Sequence, residues 1–299
     1  MRKSLLRKIS ELFELTFIII SCTGNNGSDC LKTTFCLSPL HISKASDPDP
    51  VFIGDYNILI YNGSGVLEES VYVPEREASA MNKYETTLLA GGSYTVMAAA
   101  NLGYPLGKLS MQQALAFSHY MAYPDEYSHG MPMAAVVEDV PSGDVVEVRL
   151  ERLMAAIDIS IDRSMLDPDV QLTPVEVSIG KCPSAATLFS PSRAERFFTN
   201  GFFRTGRELD DLNRGGKVRL YMLENLAGDK PCSYIEMKSA YHGNKGHSKP
   251  GEYLIYRFYL GAEGTFDIAR NTLCSFVVRP VGDGLSCEDG WRVDRGGVD

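Results

Sequence analysis

Positive charge is in short supply here: Lys and Arg number 29 against 38 Asp and Glu, a formal net charge of −9. With no basic patch to gather phosphates, nucleic acid is set aside as a partner. The local signatures of common catalytic sites are missing too. There is no GxSxG elbow, no Walker A loop, no GxGxxG after a strand and no HExxH. No cysteines are spaced CxxC, so neither a zinc ribbon nor a thioredoxin-type site is indicated. No apolar run reaches the roughly 20 residues that a membrane-spanning helix needs. These absences predict a protein that is not an enzyme and uses no cofactor, metal or small-molecule substrate.

What is present is globular. Hydrophobic residues make up 44% and charged residues 22% of 299 residues, which is enough apolar side chain for two ordinary domains. The chain opens with Arg2, Lys3, Arg7 and Lys8, then an apolar run from Leu12 to Ile20, then Ser21-Cys22. A basic head, a short apolar core and a small residue before a cut make a secretory signal peptide, residues 1–21. Cys22 just after the cut makes Ile18-Ile19-Ile20-Ser21-Cys22 resemble the lipobox of bacterial lipoproteins. That resemblance implies cleavage between Ser21 and Cys22 and lipid attachment at Cys22, with several acyl chains giving firm anchoring. An ordinary signal peptide is the other reading of the same run. The seven cysteines become six once Cys22 is lipidated: Cys30, Cys36, Cys182, Cys232, Cys274 and Cys287. Export permits disulfides, but the spacing defines no pairing, and plain thiols on strands are the simpler expectation.

Residues 22–50 are rich in Gly, Asn, Ser, Asp and Pro and read as a flexible tether closed by Pro48 and Pro50. From Val51 onward the pattern is β. Strands are predicted at 51–61, 67–73, 85–89, 94–100, 133–140 and 144–150. Hairpins are expected across Gly91-Gly92-Ser93 and Pro141-Ser142-Gly143. A helical interlude is predicted at 111–121. In the second half Ala155–Ile161 alternates, with Ile157, Ile159 and Ile161 on one face and Asp158, Ser160 and Asp162 on the other. Val175, Val177 and Ile179 alternate likewise. A looser segment, 182–216, precedes strands at 217–223, 232–240, 252–260, 267–279 and 291–294. The expectation is all-β, with two tandem antiparallel β-sandwiches, residues 51–152 and 153–299.

Few residues invite chemistry. His119 and His129 bracket Asp125 and Glu126, and His242 and His247 share a Gly/Asn/Lys loop. Zinc needs three or four converging ligands, and loop histidines are ordinarily solvated. Glu68-Glu69 are neighbours on a strand and point to opposite faces, so they form no acid/base pair. Asp210-Asp211 fit the solvated face of a short helix. Tyr120, Tyr123 and Tyr127 could stack on a sugar, although packing is the commoner use of aromatics.

The second half carries a more telling series: Leu220-Tyr221-Met222-Leu223-Glu224-Asn225-Leu226-Ala227-Gly228, Cys232-Ser233-Tyr234-Ile235-Glu236, Tyr256-Arg257-Phe258-Tyr259-Leu260-Gly261, Asp267-Ile268-Ala269-Arg270-Asn271-Thr272 and Asp289-Gly290-Trp291-Arg292-Val293-Asp294. In this order it resembles the lipoprotein anchor subunits of Bacteroidia-type fimbriae, the type V pili. Arg152–Asp158 and Pro132-Met133 fit the same family. The resemblance implies two transthyretin-like sandwiches. It also implies an outer-membrane lipoprotein that fixes a fimbrium at its base, limits its length and joins a fimbrillin by strand addition. A glycan-binding surface lipoprotein is one alternative. A stalk or tip subunit of the same fimbriae is another, with Arg76, the only arginine between residues 50 and 100, as a processing site.

Overall fold

The computed structural model describes residues 29–40, 52–74, 82–126, 130–243, 251–261 and 264–296. The signal peptide with Ser21, Cys22, Arg76, Tyr127, His129 and His247 lie outside the described residues.

The first strand corrects the tether. β1 (Cys30–Pro39) runs through the middle of the expected 22–50 linker. Thr33, Phe35 and Leu37 are buried in a core while Lys32 is exposed, a two-residue period that the surrounding Gly, Asn, Ser and Pro conceal. It is followed by β2 (Tyr56–Asn62), β3 (Leu67–Val73), β4 (Lys83–Leu89), β5 (Ser93–Ala100), α1 (Met111–Leu115), β6 (Ser118–Tyr120), β7 (Met133–Pro141) and β8 (Val145–Arg152). The second half contains β9 (Met154–Ile161), β10 (Gln171–Gly180), β11 (Ala185–Thr187), β12 (Phe202–Thr205), α2 (Asp210–Asn213), β13 (Lys217–Leu223) and β14 (Asn225–Leu226). Then come β15 (Tyr234–His242), β16 (Tyr253–Tyr259), β17 (Asp267–Ile268), β18 (Leu273–Val278), β19 (Pro280–Val281), β20 (Ser286–Cys287) and β21 (Arg292–Gly296). The looser segment 182–216 thus holds two short strands and a helix.

The two halves repeat one topology. In the first, β3-β2-β5-β7 faces β8-β1-β4, and among the described residues the two layers are joined where Met133 and Ala134 meet Arg152 and Glu151. In the second, β12-β10-β15-β16 faces β18-β9-β13, and β21 is added on the free edge of β16. The opening strand of each half lies at the centre of the three-stranded layer. It pairs antiparallel on one side (β4, β13) and parallel on the other (β8, β18). The sandwiches are therefore antiparallel except for one parallel pair each.

This layout also corrects the first hairpin. β4 pairs with β1 and β5 with β2 and β7, so Gly91-Gly92-Ser93 carries the chain from one layer to the other. The Tyr94 hydroxyl folds back onto this turn and accepts from the Leu89 N–H at 2.9 Å. Gly92 lets the ring lie close, because a Cβ there would sit 2.8 Å from it and the tyrosine would have to shift. Pro141-Ser142-Gly143 does join two strands that pair antiparallel, β7 and β8, although their ladder lies at Met133–Ala134 and Glu151–Arg152, far from the turn. The helical interlude stops at Leu115, after a Ser110/Gln113 capping box, because Ser118–Tyr120 pair with β11 instead. On β10 a register shift between Pro174 and Glu176 leaves Val175 exposed, while Leu172, Val177 and Ile179 point inward. A bulge resets the two-residue period.

Three apolar clusters result. Phe35, Ile58, Ile60, Val96, Ala98 and Leu150 fill the first sandwich. Ile157, Ile159, Val177, Met237, Tyr256 and Trp291 lie in the core of the second. The third cluster joins them. Leu59, Tyr61, Met97 and Ala99, on the outer face of β2 and β5, meet Met154, Ala156, Tyr221 and Leu223 on the outer face of β9 and β13. Strands buried on both faces lose polar alternation, which is why Tyr56–Tyr61 and Met154–Ile159 read as near-continuous apolar runs.

Candidate functional site

The segments that carry the family-like series converge in space. Leu223 ends β13, and the next two residues turn inward. Glu224 is 1% exposed and receives the Arg270 guanidinium, Nε at 2.8 Å from one carboxylate oxygen and Nη2 on the other. Arg270 also donates to the backbone carbonyls of Leu188 at 2.7 Å and Thr187 at 2.8 Å. Glu224 accepts from the Ser192 N–H at 3.2 Å, and the Asn225 side chain accepts from the Ala194 N–H at 3.1 Å. The Asn225 amide donates to the Ser233 hydroxyl at 3.1 Å, which donates on to the Lys181 carbonyl at 2.9 Å. The Gly228 N–H reaches the Asp267 carboxylate at 2.6 Å beside the short β14–β17 pair. Glu224, Asn225, Ser233 and Arg270 therefore act as one buried polar pin. It ties the 181–194 excursion to the second sandwich with fully directed hydrogen bonds. The Ser233 hydroxyl and the Glu224 carboxylate are both engaged by partners within the fold.

Asp158 forms a second cluster. It is 4% exposed on the outer face of β9, bracketed by Lys217 and by the Arg219 guanidinium at 2.6 and 2.9 Å. Burial alone would raise its carboxyl, but the hydrogen bonds and charges of Arg219 and Lys217 outweigh that and hold it below the usual range. The alternation expected for β9 holds, but its polar face is packed and not simply solvated.

The residues singled out for chemistry are dispersed. His119 is buried on β6 with Nδ1 3.0 Å from the Tyr104 hydroxyl, and burial lowers its ring below the ordinary histidine value despite the Glu126 charge. Asp125 faces Arg204 at 3.5 Å, and Glu126 accepts from the Ala122 N–H. His242 ends β15 at the surface. Among the described residues no group of three or more His, Cys, Asp or Glu converges on a metal-sized site. Glu68 accepts from Asn62, and Glu69 accepts from the Tyr84 hydroxyl. Asp210-Asp211 open α2, with Asp211 paired to Arg214 at 2.8 Å. Tyr120 and Tyr123 are exposed, but the Arg196 guanidinium sits 5.3 Å from the Tyr120 ring centre, so that ring is already engaged. Cys36, Cys182, Cys232, Cys274 and Cys287 are free thiols. Burial pushes the Cys182 thiol up to about 12 and also raises Cys274 and Cys287.

Sheet edges are the remaining assembly feature. β3, β4, β12, β21, β13 and β18 end the three large sheets. β1 is flanked on both sides and contributes Phe35 and Leu37 to the core. A cut after Arg76 that released the preceding chain would remove β1, β2 and β3 together, and with them much of the first core.

No family model matches the chain, and no curated protein sequence matches it. Solved structures do. A protein from Bacteroides eggerthii described as a cell adhesion protein superimposes with a TM-score of 0.62 at 14% identity, covering 92% of this chain and 98% of that one. A fimbrilin from Porphyromonas gingivalis gives 0.58 at 13% identity, covering 90% and 97%. The tip fimbrial protein of Porphyromonas gingivalis, truncated at its C-terminus, gives 0.52 at 14% identity, covering 91% and 100%. At such identity the likeness is one of fold: over nearly its whole length this chain has the all-β two-sandwich fold of fimbrial and adhesion-type proteins.

Proposed function

We propose that this protein is a non-enzymatic fimbrial subunit, held in the outer membrane by lipid on Cys22, that anchors a fimbrium at its base and limits its length. The observation that carries the reading is the two-sandwich fold, alike over nine-tenths of the chain to a fimbrilin and to a tip fimbrial protein. The leader and the ordered motif series of the second half add the lipid and the anchor role. Only residues 23–29 separate Cys22 from β1, and seven residues reach at most about 25 Å. The first sandwich would therefore sit close to the bilayer, as a base requires. The partner is a fimbrillin, joined by strand addition, in which an extended segment completes a sheet and alternate side chains fill pockets. In this reading the chain divides at Arg152/Leu153 into two sandwich units.

The test is Cys22→Ala in the native cell. The expected result is loss of the protein from the outer membrane and fimbriae that are longer or shed into the medium. Unchanged membrane retention would remove the lipid anchor. Retention lost with fimbriae unchanged would remove the anchoring role. A second reading, a tip subunit, has the tip-protein likeness in its favour; immunogold label at the distal ends of fimbriae would establish it.

A further inference from the structure

The two sandwiches are tied by more than their shared apolar layer. β6 belongs to the excursion that leaves the first sandwich after β5, and β11 to the excursion that leaves the second after β10. They pair antiparallel, Ser118 with Thr187, His119 with Ala186 and Tyr120 with Ala185. The ribbon is extended by backbone bonds from Met121 N–H to Ser184 at 3.0 Å and from Leu188 N–H to Phe117 at 3.0 Å. Each side is fastened to its own sandwich. On the first side, the Asn57 side chain of β2 accepts from Leu106 N–H at 2.8 Å and donates to the Tyr104 carbonyl at 3.1 Å. Asp55 accepts from Leu102 and Gly103. On the second side, Arg270 holds the Thr187 and Leu188 carbonyls.

We propose that the β6–β11 ribbon is a strap locking the two sandwiches together, and that protonation of His119, the buried histidine at its centre, releases it. His119 is 8% exposed, its ring lies at 20° to that of Tyr104 and its Nδ1 meets the Tyr104 hydroxyl. A small pocket bounded by Asn101, Leu102, Tyr104, Tyr120, Glu126 and Gly130 adjoins the ring. Among the described residues the charged group facing it there is Glu126, on the segment after β6; Asp55 stands behind Tyr104, and β11 presents Ala186. Protonation would place a charge on a ring that is buried and bonded to Tyr104, and opening the strap supplies the water that such a charge needs. Burial lowers the folded-state pKa below 6.5, with Glu126 opposing in part. The stability contributed by neutral His119 is thus complete above pH 6.5 and is lost as pH falls through the folded value. The sandwiches themselves do not depend on this group, so acid loosens their connection before it unfolds either one. This inference does not rest on the fimbrial reading.

The test is hydrogen exchange of the full-length protein in detergent at pH 7.5 and 5.0, corrected for intrinsic rates. Peptides covering 117–121 and 184–189 should exchange at least about threefold faster at pH 5.0, with β2 and β9 unchanged. H119Q, neutral at both values, should remove the difference. Equal protection of the ribbon at both pH values, or a difference that persists in H119Q, would overturn the proposal. Should H119Q fail to fold, NMR titration of the wild-type ring decides. The ring should titrate below 6.5 with the ribbon amides following the same curve, and ribbon amides that ignore it would refute the strap.

Discussion

Arg270→Met tests whether the buried pin is worth what its geometry implies. The substitution keeps an unbranched side chain but leaves Glu224, 1% exposed, without its countercharge. Removing one partner of a buried pair costs about 3–5 kcal/mol, because the survivor stays buried and charged. The Thr187 and Leu188 carbonyls lose charged donors at the same time, which places the loss at the upper end of that range. Urea unfolding reads it directly through the single tryptophan, Trp291, which is 6% exposed in the core of the second sandwich. With an m-value of about 2 kcal/mol/M, the midpoint should fall by roughly 2 M. Glu224→Gln placed on top should recover about 1–3 kcal/mol, since the uncompensated charge is then gone. A loss under about 1 kcal/mol for Arg270→Met, or a double variant no better than the single, would refute the claim that the pair is desolvated and fastens 187–188.

Three further outcomes follow from local geometry. Gly261→Ala should cost about 1–3 kcal/mol in the same urea assay, because a Cβ there would lie 2.1 Å from the Thr265 carbonyl oxygen, which is backbone and cannot swing aside. Asp158→Asn should cost about 1.5–3 kcal/mol at pH 7 by removing the charge between Lys217 and Arg219. The folded-state carboxyl is depressed, so its stabilisation is present above about pH 3.8 and lost as pH falls through the folded value. The gap between variant and wild type should therefore close in acid, and a gap independent of pH would contradict this. In thiol labelling of the reduced native protein, exposed Cys30 should react at once and Cys182, 1% exposed with its thiol pushed up to about 12, only on unfolding. Mass spectrometry of the labelled peptides ranks the two.

Most strands could be read from their runs of apolar and β-branched residues and the turn residues that bound them. Lys217–Leu223 and Leu67–Val73 were legible to the residue. What was hidden is set by distant partners. Gly91-Gly92-Ser93 has the chemistry of a tight turn, and nothing local says whether its strands pair with each other or lie in opposite layers. β1 has a clear inward face in Thr33, Phe35 and Leu37, but its flanks are linker-like in composition and mask the strand. Val175 follows the apparent period and is nonetheless exposed, because a bulge depends on the partner strand. The ordered motifs of the second half were visible as a series, yet their purpose was not: Glu224 and Arg270 are 46 residues apart and meet only in the folded chain. His119 is near Asp125 and Glu126 in sequence, but the side chain it bonds is Tyr104, whose carbonyl is held by Asn57 of β2.

The central claim, a lipid-held subunit at the base of a fimbrium, is tested most directly by purifying the protein through a C-terminal tag from detergent-solubilised membranes. Mass spectrometry would then read both its N-terminus and its partners. The account predicts an N-terminal Cys22 carrying acyl chains, with a fimbrillin bound. An N-terminus just after Arg76, or a lipidated Cys22 with no fimbrial subunit attached, would contradict it.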